Sequence, residues 1–250
     1  MSRNFELLHE AGRGQEMLRQ GADEAVPDPP VFGSGTPTLP IGEMAREEVT
    51  KLVLRLFLMP GGAASRQVVF AGTEPGNGCS WICARVADIL ASQVAGSVCI
   101  VDCDMRYPAL HTEFQVSNHY GLAEALLGGE PIRQFAQQLS RPNLWLLSCG
   151  SQNEHSQKLL TLEKMRKRMA ELRAEFDYVL LDVAPLSVGN HAITLGNWCD
   201  GVTLILKANS STRSAARKSL EQLRAANVAI LGAVLNQRTF PIPHSIYSRL

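Results

Sequence analysis

"AGTEPGNGCSW", residues 71–81, carries Gly72, Gly78 and Ser80 of the phosphate-loop pattern G-x-x-x-x-G-K-[ST], but Cys79 stands where the lysine belongs. A short β-branched run, "RQVVFAG" (66–72), leads into it, and a helical stretch over about 79–95 follows. Glycines in such a place let backbone N–H groups turn inward around a phosphate, and the next helix adds the positive end of its dipole. Gly76 and Gly78 supply the turn, Pro75 stiffens it, and Ser80 offers a hydroxyl to Mg²⁺. A tight strand-to-helix turn that binds nothing satisfies the same letters, so the loop by itself leaves both readings open.

Two further strand ends bear on the choice. "VCIVDCDMRYP" (98–108) closes an apolar run with Asp102 and Asp104, two residues apart and so expected to point the same way. "FDYVLLDVAP" (176–185) is an apolar run ending in Asp182. Carboxylates at the C-terminal edge of parallel strands, beside a phosphate loop, suit holding Mg²⁺ or activating a hydroxyl. A single aspartate after a strand also serves as a helix cap. Three such elements in this order favour the nucleotide fold.

The remainder of the chain has the same alternation. "NLWLLSCG", "GVTLILKA" and "VAILGAVLN" read as further strands, separated by helix-like segments at about 119–127, 157–175, 190–198 and 212–226. Continuous apolar strands between helices imply an α/β fold: a doubly wound, mainly parallel sheet of the P-loop type with helices on both faces. That domain is expected over 43–240, opening with the helix "EMAREEVTKLVLRLFLM" (43–59). A weakly amphipathic helix (1–20) and a linker with five prolines fill 1–42, and 241–250 is a short tail.

Lysine plus arginine and aspartate plus glutamate are balanced at 24 each, which gives no electrostatic case for nucleic acid or an anionic membrane. No run of about 18 apolar residues exists to span a bilayer, and the first residues are too polar for a secretory signal. The six cysteines sit mostly in apolar runs and read as small core residues in a reducing compartment. Cys79 and Cys83, one helical turn apart, have no further ligand cluster at metal spacing. A thiol at a helix N-terminus can have a lowered pKa, which makes Cys79 a candidate redox sensor; an inert replacement is the plainer reading.

Over residues 43–236 the chain resembles the bacterial tyrosine kinases that regulate capsule and exopolysaccharide export, cousins of the ParA/MinD ATPases. The family's P-G-E-G-K-S is matched by "PGNGCS", its D-x-D-x-R-x-P by "DCDMRYP", its G-L-x-x-x-L by "GLAEALLGG", and its D-T-P-P by "DVAP". The helix "EEVTKLVLRLF" is similar to the family's E-x-x-R-x-x-R oligomerisation helix, with Glu48 and Lys51 near register and Leu54 at the second basic position. The resemblance implies an ATP/ADP and Mg²⁺ site. Its cradle would be Gly72, Pro75, Gly76, Asn77, Gly78, Cys79, Ser80 and Arg106, with Ser80, Asp102 and Asp182 toward the metal. Asp102 or Asp104 would be the base for a tyrosine hydroxyl. It also implies a cytoplasmic protein at the inner membrane through a transmembrane chain-length regulator (copolymerase), in a homo-oligomer or with a paralogue.

The departures concern chemistry more than fold. A loop lysine neutralises β/γ-phosphate charge, and Cys79 cannot. One such charge-assisted contact contributes about 1.5–3 kcal/mol to binding. Glu74 does not compensate, whereas Arg106, Arg85 or a neighbouring subunit's arginine could. Ala184 precedes Pro185, Asn190 lies near a usual aspartate, and the C-terminal tyrosine cluster shrinks to Tyr247. The expectation is an impaired kinase or pseudokinase in exopolysaccharide biosynthesis, against two alternatives: an active Mg-ATP-dependent tyrosine autokinase, or a ParA/MinD-like positioning ATPase.

Overall fold

The computed structural model describes residues 39–59, 64–151 and 163–238. The helix expected over 1–20, most of the proline-rich linker and Tyr247 lie outside the described residues. Helix α1 (Glu43–Val53) begins on an acidic residue and carries Lys51 in its last turn, as the helix dipole favours. It runs on into a π-helical turn (Leu54–Leu58), and Val49, Val53, Leu56 and Phe57 face inward. Glu48 and Lys51 pair on its exposed side at 2.7 Å, and Leu54 is 46% exposed.

Strand β1 (Gln67–Gly72) is buried along its whole length. After the glycine-rich loop come α2 (Cys79–Gln93), β2 (Val98–Asp102), α3 (Leu110–Glu113) and α4 (Leu122–Leu127). A 3₁₀ turn (Ile132–Phe135), β3 (Gln137–Gln138) and β4 (Leu144–Leu147) follow, then α5 (Glu163–Glu175) and β5 (Tyr178–Val183). Helix α6 (His191–Gly196), β6 (Gly201–Lys207), α7 (Arg213–Ala225) and β7 (Ile230–Asn236) complete the described chain. Strand order is β3-β4-β2-β5-β1-β6-β7, and every pair is parallel except β3 with β4. This is the doubly wound sheet that the alternation predicts.

Residue alternation along the strands divides the core in two. Val68, Phe70, Ile100, Leu180 and Ile205 pack under α1 and α2, whereas Val69, Ala71, Val101, Leu181 and Leu204 pack against α4, α5 and α6. Helix α2 lies between the sheet and α1, which is why ten of its fifteen residues are buried rather than one stripe. The G-L-x-x-x-L stretch has a packing reason. Leu122 and Leu126 are buried, and a Cβ at Gly121 would run into the Ser148 carbonyl.

Helix α5 docks through a buried arginine. Arg168 donates to the carbonyls of Ala125 (2.7 Å), Glu130 (2.8 Å) and Gly128 (3.0 Å). These include the backbone acceptors that α4 leaves open at its C-terminal end. Its guanidinium also pairs with Glu171.

Candidate nucleotide site

Because β1 is central and β5 and β6 flank it, its C-terminal end opens into the crevice where the strand order reverses. The loop 73–78 sits there. Gly72 closes β1 one residue ahead of the pattern's first glycine, a position held by Thr73. Gly76 and Gly78 both adopt φ +79°, a left-handed turn that favours glycine.

Asn77 braces this loop. Its Oδ1 accepts from the Glu74 amide (2.6 Å) and the Thr73 hydroxyl (3.4 Å), and its Nδ2 donates to Ser211 Oγ (2.8 Å). Ser211 in turn accepts from the Lys207 amide at 3.0 Å. Asn236, at the end of β7, donates to the Asn77 carbonyl at 2.9 Å. The loop is thus fastened to the ends of β6 and β7 by protein groups. From sequence Asn77 is recognisable only as a member of the cradle, and nothing marks Ser211 or Asn236. Their contacts span more than 130 residues and leave no local signal.

Beside the loop is a cleft of about 500 Å³. Gly72, Pro75, Gly76, Asn77, Gly78, Cys79, Ser80, Asp104 and Arg106, all anticipated for the site, line it. Glu113, from α3, lines it too and was not anticipated. Its helix has only four residues, too few for periodicity to register.

The aspartates do not share one role in the geometry. Asp102 and Asp104 were expected to point the same way, but β2 ends at Asp102 and the chain turns away beyond it. Asp102 is fully buried. It accepts from the amides of Asp104 (3.2 Å), Ala109 (3.0 Å) and Leu110 (3.0 Å), so it folds the following segment back and does not line the cleft. Burial and the neighbouring Asp182 carboxylate push its pKa well up, against the pull of the Leu110 and Ala109 amides. Asp104 reaches the cleft, and its Oδ1 accepts from the amides of Arg106 and Tyr107, both at 3.1 Å.

Asp182 stands beside Asp102 in the β2–β5 pairing and is 1% exposed. Neither of its carboxylate oxygens has a full hydrogen-bond partner among the described residues. Burial raises its pKa to about 7, and Asp104 and Glu113 add to the rise. The Ser80 hydroxyl and Cys79 thiol, which face it, pull the other way.

Burial, then Asp182, pushes the Cys79 thiol well above the usual thiol range. It is a neutral thiol near pH 7, the opposite of what a redox sensor needs. The cations differ as well. Arg85 is buried with its guanidinium 4.2 Å over the Trp81 ring and paired with Glu113, so it is not available to a ligand. Arg106 is exposed, forms no ion pair among the described residues and is the one lysine or arginine lining the cleft. Among the described residues no cluster of three or more His, Cys, Asp or Glu is arranged to hold a metal. None of their helices is long and apolar enough to cross a membrane.

Comparison with known proteins agrees with this architecture. Residues 65–230 match the family described as cellulose biosynthesis protein BcsQ. Tyrosine-protein kinase YwqD of Bacillus subtilis (strain 168) is 30% identical over 182 residues, covering 73% of this chain and 76% of YwqD. Tyrosine-protein kinase etk of Escherichia coli (strain K12) is 25% identical over 169 residues, 68% of this chain but 23% of that longer protein. The solved kinase domain of the Escherichia coli tyrosine kinase ETK superposes with a TM-score of 0.73 at 22% identity, covering 86% of this chain and 87% of that one.

Proposed function

Since the chain belongs to the BcsQ family of P-loop proteins, with relatives named as tyrosine-protein kinases, we propose that it is a regulatory member that keeps the phosphate cradle but does not transfer phosphate. One observation carries this reading: at the lysine position stands a neutral thiol, and Arg106 is the single cation along the cleft among the described residues. Phosphoryl transfer depends on positioned positive charge, because little covalent chemistry is left for the protein to do.

The residues present fit a nucleotide's phosphates and Mg²⁺ in part. The glycine-permitted turn is formed, Ser80 lines the cleft, and the orphaned Asp182 carboxylate behind it suits a hydrated divalent ion. In this reading Ser80 and Asp182 arrange Mg²⁺, which when bound would neutralise phosphate charge. Asp102 organises the loop behind them, and Asp104 holds the position of the family's base. The output is regulation of exopolysaccharide assembly at the inner face of the membrane. The partner is a transmembrane chain-length regulator, and assembly is with further copies or an active paralogue.

Complementation tests this. In a strain lacking the chain, Asp104→Asn is expected to restore polysaccharide export to the wild-type level, because the contribution is that of a scaffold. Loss of export with Asp104→Asn at unchanged protein abundance would contradict the proposal and favour a working kinase.

A further inference from the structure

The inference rests on the reading above, that the loop keeps its cradle, and names the ligand the cradle prefers. Two halves of the site differ in charge. On the backbone side, none of the amides from Gly76 to Ser80 donates a hydrogen bond to a described residue, and the Asn77 brace holds them in a turn that opens on the start of α2. Unpaired amides at a helix start attract an anion, and this half is intact.

The side-chain half is lopsided. Glu74 and Asp104 line the cleft against Arg106 alone, and the third carboxylate, Glu113, is already paired with Arg85 behind it. Behind Cys79 and Ser80 lies the orphaned Asp182 carboxylate. Arg85 is held by Glu113 and Trp81. A second phosphate can therefore lie against amides, whereas a third adds negative charge beside these carboxylates with no lysine to meet it.

We infer that the site selects by phosphate number and takes a Mg²⁺-bound nucleoside diphosphate in preference to the triphosphate. The loop would then report a diphosphate-bound state that additional triphosphate does not readily displace. Losing one charge-assisted phosphate contact corresponds to an affinity loss of about 10- to 100-fold. The lysine would serve the β- and γ-phosphates alike, but the β-phosphate keeps the loop amides and the γ-phosphate has no substitute, so the larger share falls on the triphosphate.

Calorimetric titration of the full chain with Mg-ADP and with Mg-ATP, repeated on Cys79→Lys, tests this. The wild-type chain is expected to bind Mg-ADP at least about tenfold tighter than Mg-ATP, and Cys79→Lys to narrow the gap by gaining mainly on Mg-ATP. Equal wild-type affinities, or tighter Mg-ATP, would overturn the inference while leaving the cradle standing. A gap that a folded Cys79→Lys leaves unchanged would also overturn it, since the missing charge would not be the cause. Binding of neither ligand by either form would overturn both the inference and the reading of the loop as a cradle. If the variant does not fold, the wild-type ratio decides the question alone.

Discussion

Asp182→Asn is expected to stabilise the protein at pH 8 by about 4 kcal/mol, read as a rise in melting temperature. The wild-type carboxyl has its pKa raised from 3.8 to about 7, chiefly by burial. Between those values the folded Asp182 carboxyl holds a proton that the unfolded chain releases, so its contribution to stability falls as pH rises and levels off above about 7. An asparagine has no proton to lose. The advantage of the variant should therefore be close to zero near pH 4, about half its full size near pH 5.5, and complete at pH 8. Melting curves at these three pH values, without added Mg²⁺, check it. A pH-independent difference would mean that the carboxylate is satisfied in some way the structure does not show.

Arg168→Met should act in the opposite direction, with a loss of about 3–5 kcal/mol in denaturant unfolding. The methionine fills much of the space, but the carbonyls of Ala125, Gly128 and Glu130 lose their donor together. The Ala125 carbonyl is buried and would be left without a partner, whereas Gly128 and Glu130 are exposed residues whose carbonyls water can meet in part. Arg168 also lies 5.6 Å from the Phe135 ring, so some packing is lost as well. Arg168→Lys should recover only part of the loss, because an ammonium cannot reproduce the planar fork that reaches three carbonyls at once. A shift below about 1 kcal/mol for the methionine variant would show that the segment after α4 finds other donors.

The strands were legible because a buried parallel strand leaves an unbroken apolar run, such as "VCIVD" or "YVLLD", with a helix on either side. The phosphate loop was legible because its glycines are required by left-handed φ values at Gly76 and Gly78. What escaped was short or non-local. The two polar residues of β3 form an antiparallel edge that no periodicity announces, and α3 is a single turn. The division of labour between Asp102 and Asp104 turns on where β2 stops. A two-residue spacing cannot reveal that the side chain of the first curls the backbone after it. The thiol state of Cys79 is set first by burial and then by Asp182, far away in sequence, neither of which the helix-terminus rule takes into account.

Two cations near the loop looked equivalent in sequence, and packing separates them. Arg85 is consumed by Glu113 and Trp81, which leaves Arg106 to face the cleft. Charge, more than shape, therefore separates this chain from what its fold would permit. Its loop is braced and turned as a phosphate site requires, yet three of the four charged side chains along the cleft, Glu74, Asp104 and Glu113, are carboxylates.

The most direct test is phosphotransfer itself. The full-length chain, incubated with Mg-ATP labelled in the terminal phosphate, would be read for label and for phosphotyrosine by mass spectrometry. No phosphotyrosine on the wild-type chain, at enzyme concentrations and times that label a kinase relative fully, is the predicted result. Phosphotyrosine accumulating on the wild-type chain would contradict the account, and would mean that Arg106 or a neighbouring subunit supplies the charge that Cys79 does not.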